Sequence, residues 1–216
     1  MDYAAARQNM IEGQIRPNRV TDEAVIEAMA SIPRELFVPE PVRSIAYCDE
    51  DIPIGNGRFM MEPMVLAQLL QAAAIQPTDV VLDIGCGTGY SAAVAARLAN
   101  TVVAVESDPA LAARATELFA ELSIDNVAVF EGPLVEGCPK QAPYQVILLD
   151  GAVEFVPPAI LEQLAEGGRL VTVVQEDGVG RATLMQRTRG VTSGRVLFDA
   201  SIARLPGFAR APGFVF

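Results

Sequence analysis

From about residue 79 onwards, short apolar runs alternate with stretches whose apolar residues have helical spacing. The runs are DVVLDIG, TVVAVE, NVAVFEG, YQVILLDG and GGRLVTVV, and such continuous runs predict strands that are buried on both faces. Between them, CGTGYSAAVAARLA, SDPALAARATELFAEL and PPAILEQLAE predict helices. This alternation favours an open, mostly parallel α/β sheet. Two later β-rich runs, ATLMQRT and GRVLFDASIARL, predict a closing antiparallel pair.

The helix within SDPALAARATELFAEL has a clear start and a clear buried face. Asp108 is the predicted N-cap, and Pro109 stands at the first helical position. Its predicted apolar stripe consists of Leu111, Ala115, Leu118, Phe119 and Leu122.

The first 78 residues are typical of a helical extension. AAARQNMIEGQI predicts one helix, and TDEAVIEAMASI predicts a second, with Thr21 as its N-cap and Pro33 at its end. Residues 47–57 are polar and glycine-rich, which predicts a loop, and Pro63 begins a third helix. The faces expected to be buried comprise Val25, Ile26, Ala28 and Met29 in the second helix, and Val65, Leu66, Leu69 and Leu70 in the third. We expect a single domain in three parts: residues 1–78 as an N-terminal, substrate-side extension, 79–176 as the core, and 177–216 as a C-terminal β region.

Composition and charge disfavour several classes of function. The net charge of −11 disfavours nucleic acid as a partner. Three widely spaced cysteines do not form a disulfide or zinc pattern, and the N-terminus lacks the pattern of a signal peptide, so we expect a cytoplasmic protein. No apolar run approaches the roughly 20 residues of a membrane helix. The chain has no histidine, and so lacks the commonest general base and metal ligand.

The strongest chemical signal is VLDIGCGTGY, residues 81–90. Here a strand runs through a glycine-rich turn into a helix, and the glycines let a ligand approach the backbone closely. Glu106 ends the next strand, about 20 residues on, where a carboxylate can accept hydrogen bonds from ribose hydroxyls. Asp83 adds an acidic group that could hold an ammonium group of the ligand.

Two classes of nucleoside cofactor fit a turn of this kind. The dinucleotide pattern G-x-G-x-x-G lacks its third glycine here, because the spacing is G-x-G-x-G. The acid-x-Gly-x-Gly-x-Gly pattern with a downstream Glu resembles the S-adenosylmethionine site of class I methyltransferases. A structural glycine turn without a ligand is the plainer alternative. The residues expected at the cofactor are Asp83, Gly85, Cys86, Gly87, Thr88, Gly89, Glu106, Ser107, Gly132 and Pro133.

A closer resemblance covers about residues 8–174. The segments IPRELFVPE, AYCDEDIPIGNGRFMMEPMVLAQLL and VLDIGCGTGYSAAVAARLA resemble those of the protein-L-isoaspartate O-methyltransferase family. The resemblance implies a class I methyltransferase, Rossmann-like sheet with added N-terminal helices. It also implies S-adenosylmethionine as cofactor and an isoaspartyl carboxylate of a damaged protein or peptide as methyl acceptor. A carboxylate is already ionised near pH 7 and needs no general base, so the lack of histidine is compatible with this chemistry.

The chain departs from the family in GRFMMEP, residues 57–63. The family has Gly-Gln-Thr-Ile-Ser-x-Pro here, and its Ser helps to bind the substrate. Aligned on the first glycine and the last proline, the chain has Arg58, Phe59, Met60 and Met61, with Met61 at the Ser position. A thioether is only a weak hydrogen-bond acceptor, and Glu62 adds a negative charge where a carboxylate should dock. Pro133 is a second departure, because it replaces an acidic residue after the third strand.

These departures leave several interpretations open. The enzyme could retain isoaspartyl activity, or its pocket could have moved to a less anionic, more apolar acceptor lined by Phe59 and the methionines. Alternatively, Phe59 and the methionine pair simply pack beneath the N-terminal helices. A non-catalytic S-adenosylmethionine-binding module is a further hypothesis, and a nucleotide oxidoreductase is disfavoured by the missing glycine. The substrate-side candidates are Phe59, Met60, Met61, Glu62 and Asp150, of which Asp150 could equally be a turn residue.

Overall fold

The computed structural model describes residues 1–210 and contains a seven-stranded sheet of order β5-β4-β3-β6-β7-β8-β9. Its strands are β3 (Val80–Ile84), β4 (Thr101–Glu106), β5 (Val127–Glu131), β6 (Tyr144–Val153), β7 (Leu164–Glu176), β8 (Val179–Thr188) and β9 (Val191–Asp199). The first five pair in parallel, β8 pairs antiparallel with β7, and β9 pairs antiparallel with β8. The α/β sheet and the closing antiparallel pair predicted from the sequence are therefore confirmed.

Five helices contribute buried residues to the core on one face of the sheet. They are α1 (Tyr3–Met10), α2 (Glu23–Ser31), α3 (Pro63–Ala73), α4 (Tyr90–Ala96) and α5 (Pro109–Glu121). A short helix, α6 (Pro158–Leu161), and residues 205–208 contribute to a second core on the other face. Strand residues alternate between the two: Val81 and Val146 face the first core, whereas Leu82 and Ile147 face the second. This explains the continuous apolar runs, because both faces of the central strands are covered. No helix in the described part of the chain is long and apolar enough to cross a membrane.

Several sequence-based boundaries are confirmed. Asp108 caps α5 by accepting hydrogen bonds from the backbone N–H groups of Ala110 and Leu111, and Pro63 is the first residue of α3. The residues expected to be buried in α2 and α3 are buried, and the stripe of α5 is buried except at its last member, Leu122, which is partly exposed.

Other boundaries were wrong. Asp22, not Thr21, caps α2, because its carboxylate accepts from the Ala24 N–H while the Thr21 N–H is bound by the Gln71 side chain. The expected loop at 47–57 contains β1 (Ile52–Gly55), which pairs with β2 (Arg58–Met60) in a separate two-stranded hairpin.

The chain also departs from prediction after α6 and after β9. The helix expected over PPAILEQLAE stops at Leu161, because the Gln163 carbonyl accepts from the Tyr144 N–H and Leu164 already pairs with β6. The second β-rich run was expected to remain a strand through Leu205, but β9 ends at Asp199. Residues 203–205 then cross back to β6, with a parallel bridge between Ala152 and Arg204.

Candidate functional site

The parallel strands place a crevice between β3 and β6. The chain runs from β3 outward to β4 and β5, then returns to β6 on the other side of β3. Such a reversal of strand order marks the ligand site of open α/β sheets, at the carboxyl ends of the strands. The glycine turn after β3 therefore lies where the sequence analysis expects a cofactor.

The turn itself depends on its glycines. Gly85, Gly87 and Gly89 have φ values of +86°, +57° and +96°, a region that other residues adopt only at a cost. The Gly85 N–H donates to the Val105 carbonyl at 2.8 Å, and Gly89 immediately precedes α4. A Cβ on Gly89 would lie 2.5 Å from the Phe119 ring, so this position also needs glycine for close packing.

Glu106, the last residue of β4, is fully buried beside this turn. Its Oε1 accepts hydrogen bonds from the backbone N–H groups of Ser107 and Asp108, at 2.7 and 3.0 Å, and its Oε2 accepts from Gly87 at 2.8 Å. The carboxylate thus clamps the glycine turn to the end of β4.

Arg58 lies at this candidate site, and the sequence did not predict its contacts there. From hairpin strand β2 its side chain enters the crevice, where it is 6 % exposed. Nη1 donates to Glu106 Oε1, forming an ion pair, and Nη2 donates to the Gly85 carbonyl at 2.9 Å. The only sequence signal was a cation in an otherwise apolar strand, GRFMM, at a position where the family has a neutral residue.

Leu205, on the segment that returns from β9, fills the same crevice from the side of β6. A Cβ on Gly85 would lie 2.5 Å from its Cδ2, and one on Gly151 would lie 2.7 Å from its Cγ. The Leu205 side chain is buried, and its N–H donates to the Ala152 carbonyl at 2.9 Å. It therefore lies directly against the backbone at the carboxyl ends of β3 and β6.

Asp83 and Asp150 stand on these two strands, and both are buried. Asp83 Oδ2 accepts from the Ser91 hydroxyl at 2.6 Å, but Oδ1 of each carboxylate has no hydrogen-bond partner within residues 1–210. Burial, and then the Asp150 charge, raise the pKa of Asp83 well above its usual range. Burial also raises the pKa of Asp150. These two buried carboxylates therefore retain a proton more readily than exposed carboxylates do.

The remaining candidates for cofactor binding lie around the glycine turn, but they do not all face the crevice. Thr88 donates its hydroxyl to the Phe37 carbonyl, and Cys86 is buried, which raises the pKa of its thiol. The Gly132 N–H donates to the Glu106 carbonyl at 3.1 Å, and Pro133 precedes a short helical turn at the surface. Ser107 is exposed, and its backbone N–H is bound by Glu106.

The substrate-side candidates separate into two groups. Met60 and Met61 are buried within the core that includes the N-terminal helices, whereas Phe59 on the same hairpin is 38 % exposed. The two methionines therefore fill the core and do not line an open acceptor pocket, while Phe59 does not pack beneath the helices.

Arg34 connects the three segments that carry the family resemblance. This fully buried side chain donates to the Ala46 carbonyl at 2.6 Å and to the Met61 carbonyl at 2.7 Å. Its guanidinium carbon also lies 4.7 Å from the centre of the Tyr90 ring, a cation–π distance. IPRELFVPE, AYCDE and GRFMMEP are thus joined to α4 through one side chain.

Glu62 belongs to an acidic surface made with Asp49, Glu50 and Asp51. Partial burial raises its pKa to about 7, with further contributions from the charges of Asp49, Asp51 and Glu50. The Asp51 carboxylate accepts from the Glu62 N–H at 2.9 Å and from the Ala203 N–H at 2.6 Å. This acidic surface lies where the returning C-terminal segment meets the hairpin.

The described conformation does not fit S-adenosylmethionine, although the fold does. The glycine turn, the acidic end of β4 and the crevice between β3 and β6 are all in place for a nucleoside ligand. However, Arg58 is bound to the carboxylate that would receive the ribose hydroxyls, and Leu205 lies against the turn. Both side chains therefore lie at the strand ends where a ligand of such a sheet binds.

Comparisons with known proteins agree on one family. The model of the family described as protein-L-isoaspartate(D-aspartate) O-methyltransferase matches residues 5–200. A Roseiflexus castenholzii protein-L-isoaspartate O-methyltransferase is 42% identical over 189 residues, which cover 88% of this chain and 85% of the relative. One from Koribacter versatilis is 39% identical over 205 residues, covering 95% of this chain and 92% of the relative.

Solved structures show the same fold. One named protein-L-isoaspartate O-methyltransferase superimposes with a TM-score of 0.82 and 26% identity, covering 93% of this chain and 66% of that one. A Plasmodium falciparum structure, described as this methyltransferase in complex with S-adenosyl-L-homocysteine, gives 0.79 with 20% identity and covers 95% and 98%. On this evidence, the chain belongs to the protein-L-isoaspartate O-methyltransferase family, a family of S-adenosylmethionine-dependent methyltransferases with a Rossmann-like fold.

Proposed function

We propose that this chain binds S-adenosylmethionine and methylates a carboxyl group of a protein or peptide, with weak activity towards isoaspartyl residues. The observation that carries the proposal is the glycine turn between β3 and α4, with Glu106 beside it at the end of β4. Family membership supports the same reaction class. The three cysteines are free, which agrees with the reducing cytoplasm that we propose as its location.

Methyl transfer to a carboxylate requires little chemistry from the protein's own side chains. A carboxylate acceptor is ionised near pH 7, so no general base is needed, and the protein has only to position the acceptor and exclude water. In this proposal, the glycine turn and Glu106 hold the cofactor, and Phe59 and Glu62 lie on the acceptor side. Cofactor binding requires Arg58 to leave Glu106.

Two features of the acceptor side support weak isoaspartyl activity. The Met61 side chain is buried in the core, so it presents no hydrogen-bonding group to an acceptor. Glu62 stands with Asp49, Glu50 and Asp51, and their charges repel an incoming carboxylate by roughly 1 kcal/mol per close pair in water. Burial of both methionines removes support from the idea of an apolar, methionine-lined acceptor pocket.

A methyl-transfer assay tests this proposal. An isoaspartyl peptide and its matched aspartyl peptide would be offered with methyl-labelled S-adenosylmethionine, and base-labile methyl ester measured. We expect ester on the isoaspartyl peptide alone, at a rate about fivefold or more below that of the Roseiflexus relative, because one unfavourable charge pair of roughly 1 kcal/mol slows the reaction by about that factor. Glu62→Gln should raise the rate, and Glu117→Gln, on the exposed side of α5, should not.

Ester formation as fast as in the relative, or no effect of Glu62→Gln, would contradict this account of the acceptor side. Met61→Ser is a poorer probe, because a hydroxyl replacing a buried thioether leaves a cavity and destabilises the core by about 2–5 kcal/mol.

A non-catalytic, cofactor-binding member of the family is the second candidate. The ion pair between Arg58 and Glu106 favours it, because a side chain of the protein already satisfies the cofactor-side carboxylate. Calorimetry with S-adenosylmethionine and S-adenosyl-L-homocysteine separates the two candidates when combined with the transfer assay. Binding without ester formation on either peptide would favour the non-catalytic candidate.

A further inference from the structure

The Arg58 guanidinium binds the Glu106 carboxylate and the glycine turn, which are the parts of the crevice that a nucleoside ligand approaches. An acidic side chain at the end of the second strand is the usual acceptor for ribose hydroxyls in such sheets. Here Glu106 Oε1 already accepts from Arg58 Nη1 and from two backbone N–H groups, and Oε2 accepts from Gly87. The second guanidinium nitrogen binds the carbonyl of Gly85, in the turn that a ligand must approach.

Leu205 occupies the adjoining volume, and the segment that carries it is firmly held. The Asp51 carboxylate binds the Ala203 N–H at 2.6 Å, and the Ala152 N–H donates to the Ala203 carbonyl at 2.8 Å. The Glu154 N–H donates to the Phe208 carbonyl at 3.1 Å, and the Phe208 side chain is buried. The segment therefore runs beside the end of β6 and forms one parallel bridge with it.

The hairpin that carries Arg58 stands apart from the seven-stranded sheet and packs on the helical core through Ile52, Ile54 and Met60. It depends on this packing, because a two-stranded hairpin is only marginally stable by itself. Its tip is held to α5 through one side-chain contact, Asn56 Nδ2 to Asp108 Oδ2 at 2.6 Å. Moving it would leave Glu106 with its three backbone hydrogen bonds.

We propose that Arg58 and Leu205 are an internal occupant of the cofactor crevice, which S-adenosylmethionine must displace in order to bind. The inference rests on the proposed function only for the identity of the ligand. Because the closed conformation excludes the ligand, the apparent dissociation constant is raised in proportion to the rarity of the open one. Arg58 is thus a residue that sets the affinity for the cofactor through its competition for Glu106.

Calorimetry with S-adenosyl-L-homocysteine tests the proposal on the full chain, with no need for turnover. The test variants are Arg58→Gln, whose side chain is too short to retain the ion pair, and Leu205→Ala. The matched controls are Arg16→Gln, which removes an exposed ion pair with Glu23, and Leu184→Ala, which truncates a buried leucine of β8. Thermal unfolding without ligand confirms that each variant is folded and reports its stability.

We expect each test variant to bind at least about tenfold more tightly than the parent, and the controls to bind like the parent. Thermal unfolding should occur at a lower temperature for Arg58→Gln than for the parent without ligand, and addition of the ligand should raise it more than in the parent. Equal affinity of the parent and both folded test variants would overturn the proposal, as would the absence of binding in all of them.

The transfer assay keeps this inference distinct from the proposed function. Tight binding by Arg58→Gln with no methyl ester on either peptide would support the internal occupant and overturn the proposed transfer. If the parent forms ester and binds S-adenosyl-L-homocysteine as tightly as Arg58→Gln does, the proposed transfer is supported and the internal occupant is overturned.

Discussion

At the scale of single residues, charges that meet in buried surroundings determine how the site behaves. Arg58 and Glu106 are 48 residues apart in sequence, yet they form an ion pair in which neither side chain is appreciably exposed. Removing one partner of a buried pair costs about 3–5 kcal/mol in typical proteins, because it leaves the other charge uncompensated. Glu106 retains three backbone hydrogen bonds, so we expect the loss of Arg58 to fall at the lower end of that range.

Glu62 provides a pH-dependent prediction at the same scale. Its pKa, about 7 in the folded protein, exceeds the ordinary value of 4.5, so folding favours its protonated form. The contribution of protonated Glu62 to the free energy of unfolding is fully present below about pH 4.5, and it is lost as the pH rises through 7. Glu62→Gln should therefore unfold at a higher temperature than the parent at pH 8, by roughly 2–4 °C after allowance for screening of this half-exposed group. The difference should vanish at pH 4.5.

Thermal unfolding scans at pH 4.5, 6 and 8 check this prediction, with Glu117→Gln as an exposed control. A constant difference between Glu62→Gln and the parent across these pH values would contradict the raised pKa.

At the scale of elements, the sequence predicted where α2 begins but did not decide between two adjacent N-cap residues. Thr21 and Asp22 are both good N-cap residues, and sequence preference does not choose between them. The structure does so through α3, because Gln71 binds the Thr21 and Asp22 N–H groups and holds the chain where the Asp22 carboxylate reaches Ala24. The contact that selects the cap comes from a residue about 50 positions away.

The choice of cap makes a prediction for α2. Asp22→Ala should lower the free energy of unfolding by about 1 kcal/mol, the usual cost of losing a cap. Thr21→Ala should change it by less than about 0.5 kcal/mol, because its side chain is exposed. Urea unfolding of both variants measures the two values. A larger loss for Thr21→Ala than for Asp22→Ala would show that the cap is assigned to the wrong residue.

At the scale of the whole molecule, the return of the chain from β9 to β6 connects the C-terminal region to the site. Phe208 anchors this return in the second core, together with Leu205 and residues of β3 and β6. The segment lies at the crevice between β3 and β6, where the order of the parallel strands reverses.

Truncating the anchor should therefore destabilise the folded chain and loosen the segment. We expect Phe208→Ala to reduce the free energy of unfolding by about 3–5 kcal/mol, the cost of removing a buried aromatic ring. Phe59→Ala, at a ring that is 38 % exposed, is the matched control and should change it by about 0.5 kcal/mol or less. Urea unfolding measures both, and a similar small loss for the two variants would argue against a packed C-terminal segment.

The sequence by itself determined the parallel strands, the glycine turn and the first residues of α3 and α5. Each of these follows from local chemistry: continuous β-branched runs must be buried on both faces, glycine alone adopts positive φ freely, and proline and aspartate suit the start of a helix. Only the tertiary structure decided what lies in front of the turn. The sequence places Leu205 only at the end of a predicted strand and Arg58 only as a lone cation, because neither pattern says which distant residue it will meet. The Arg58–Glu106 pair and the closure by Leu205 arise from long-range pairing of a hairpin and a returning segment, and these contacts determine whether the crevice is open to a ligand.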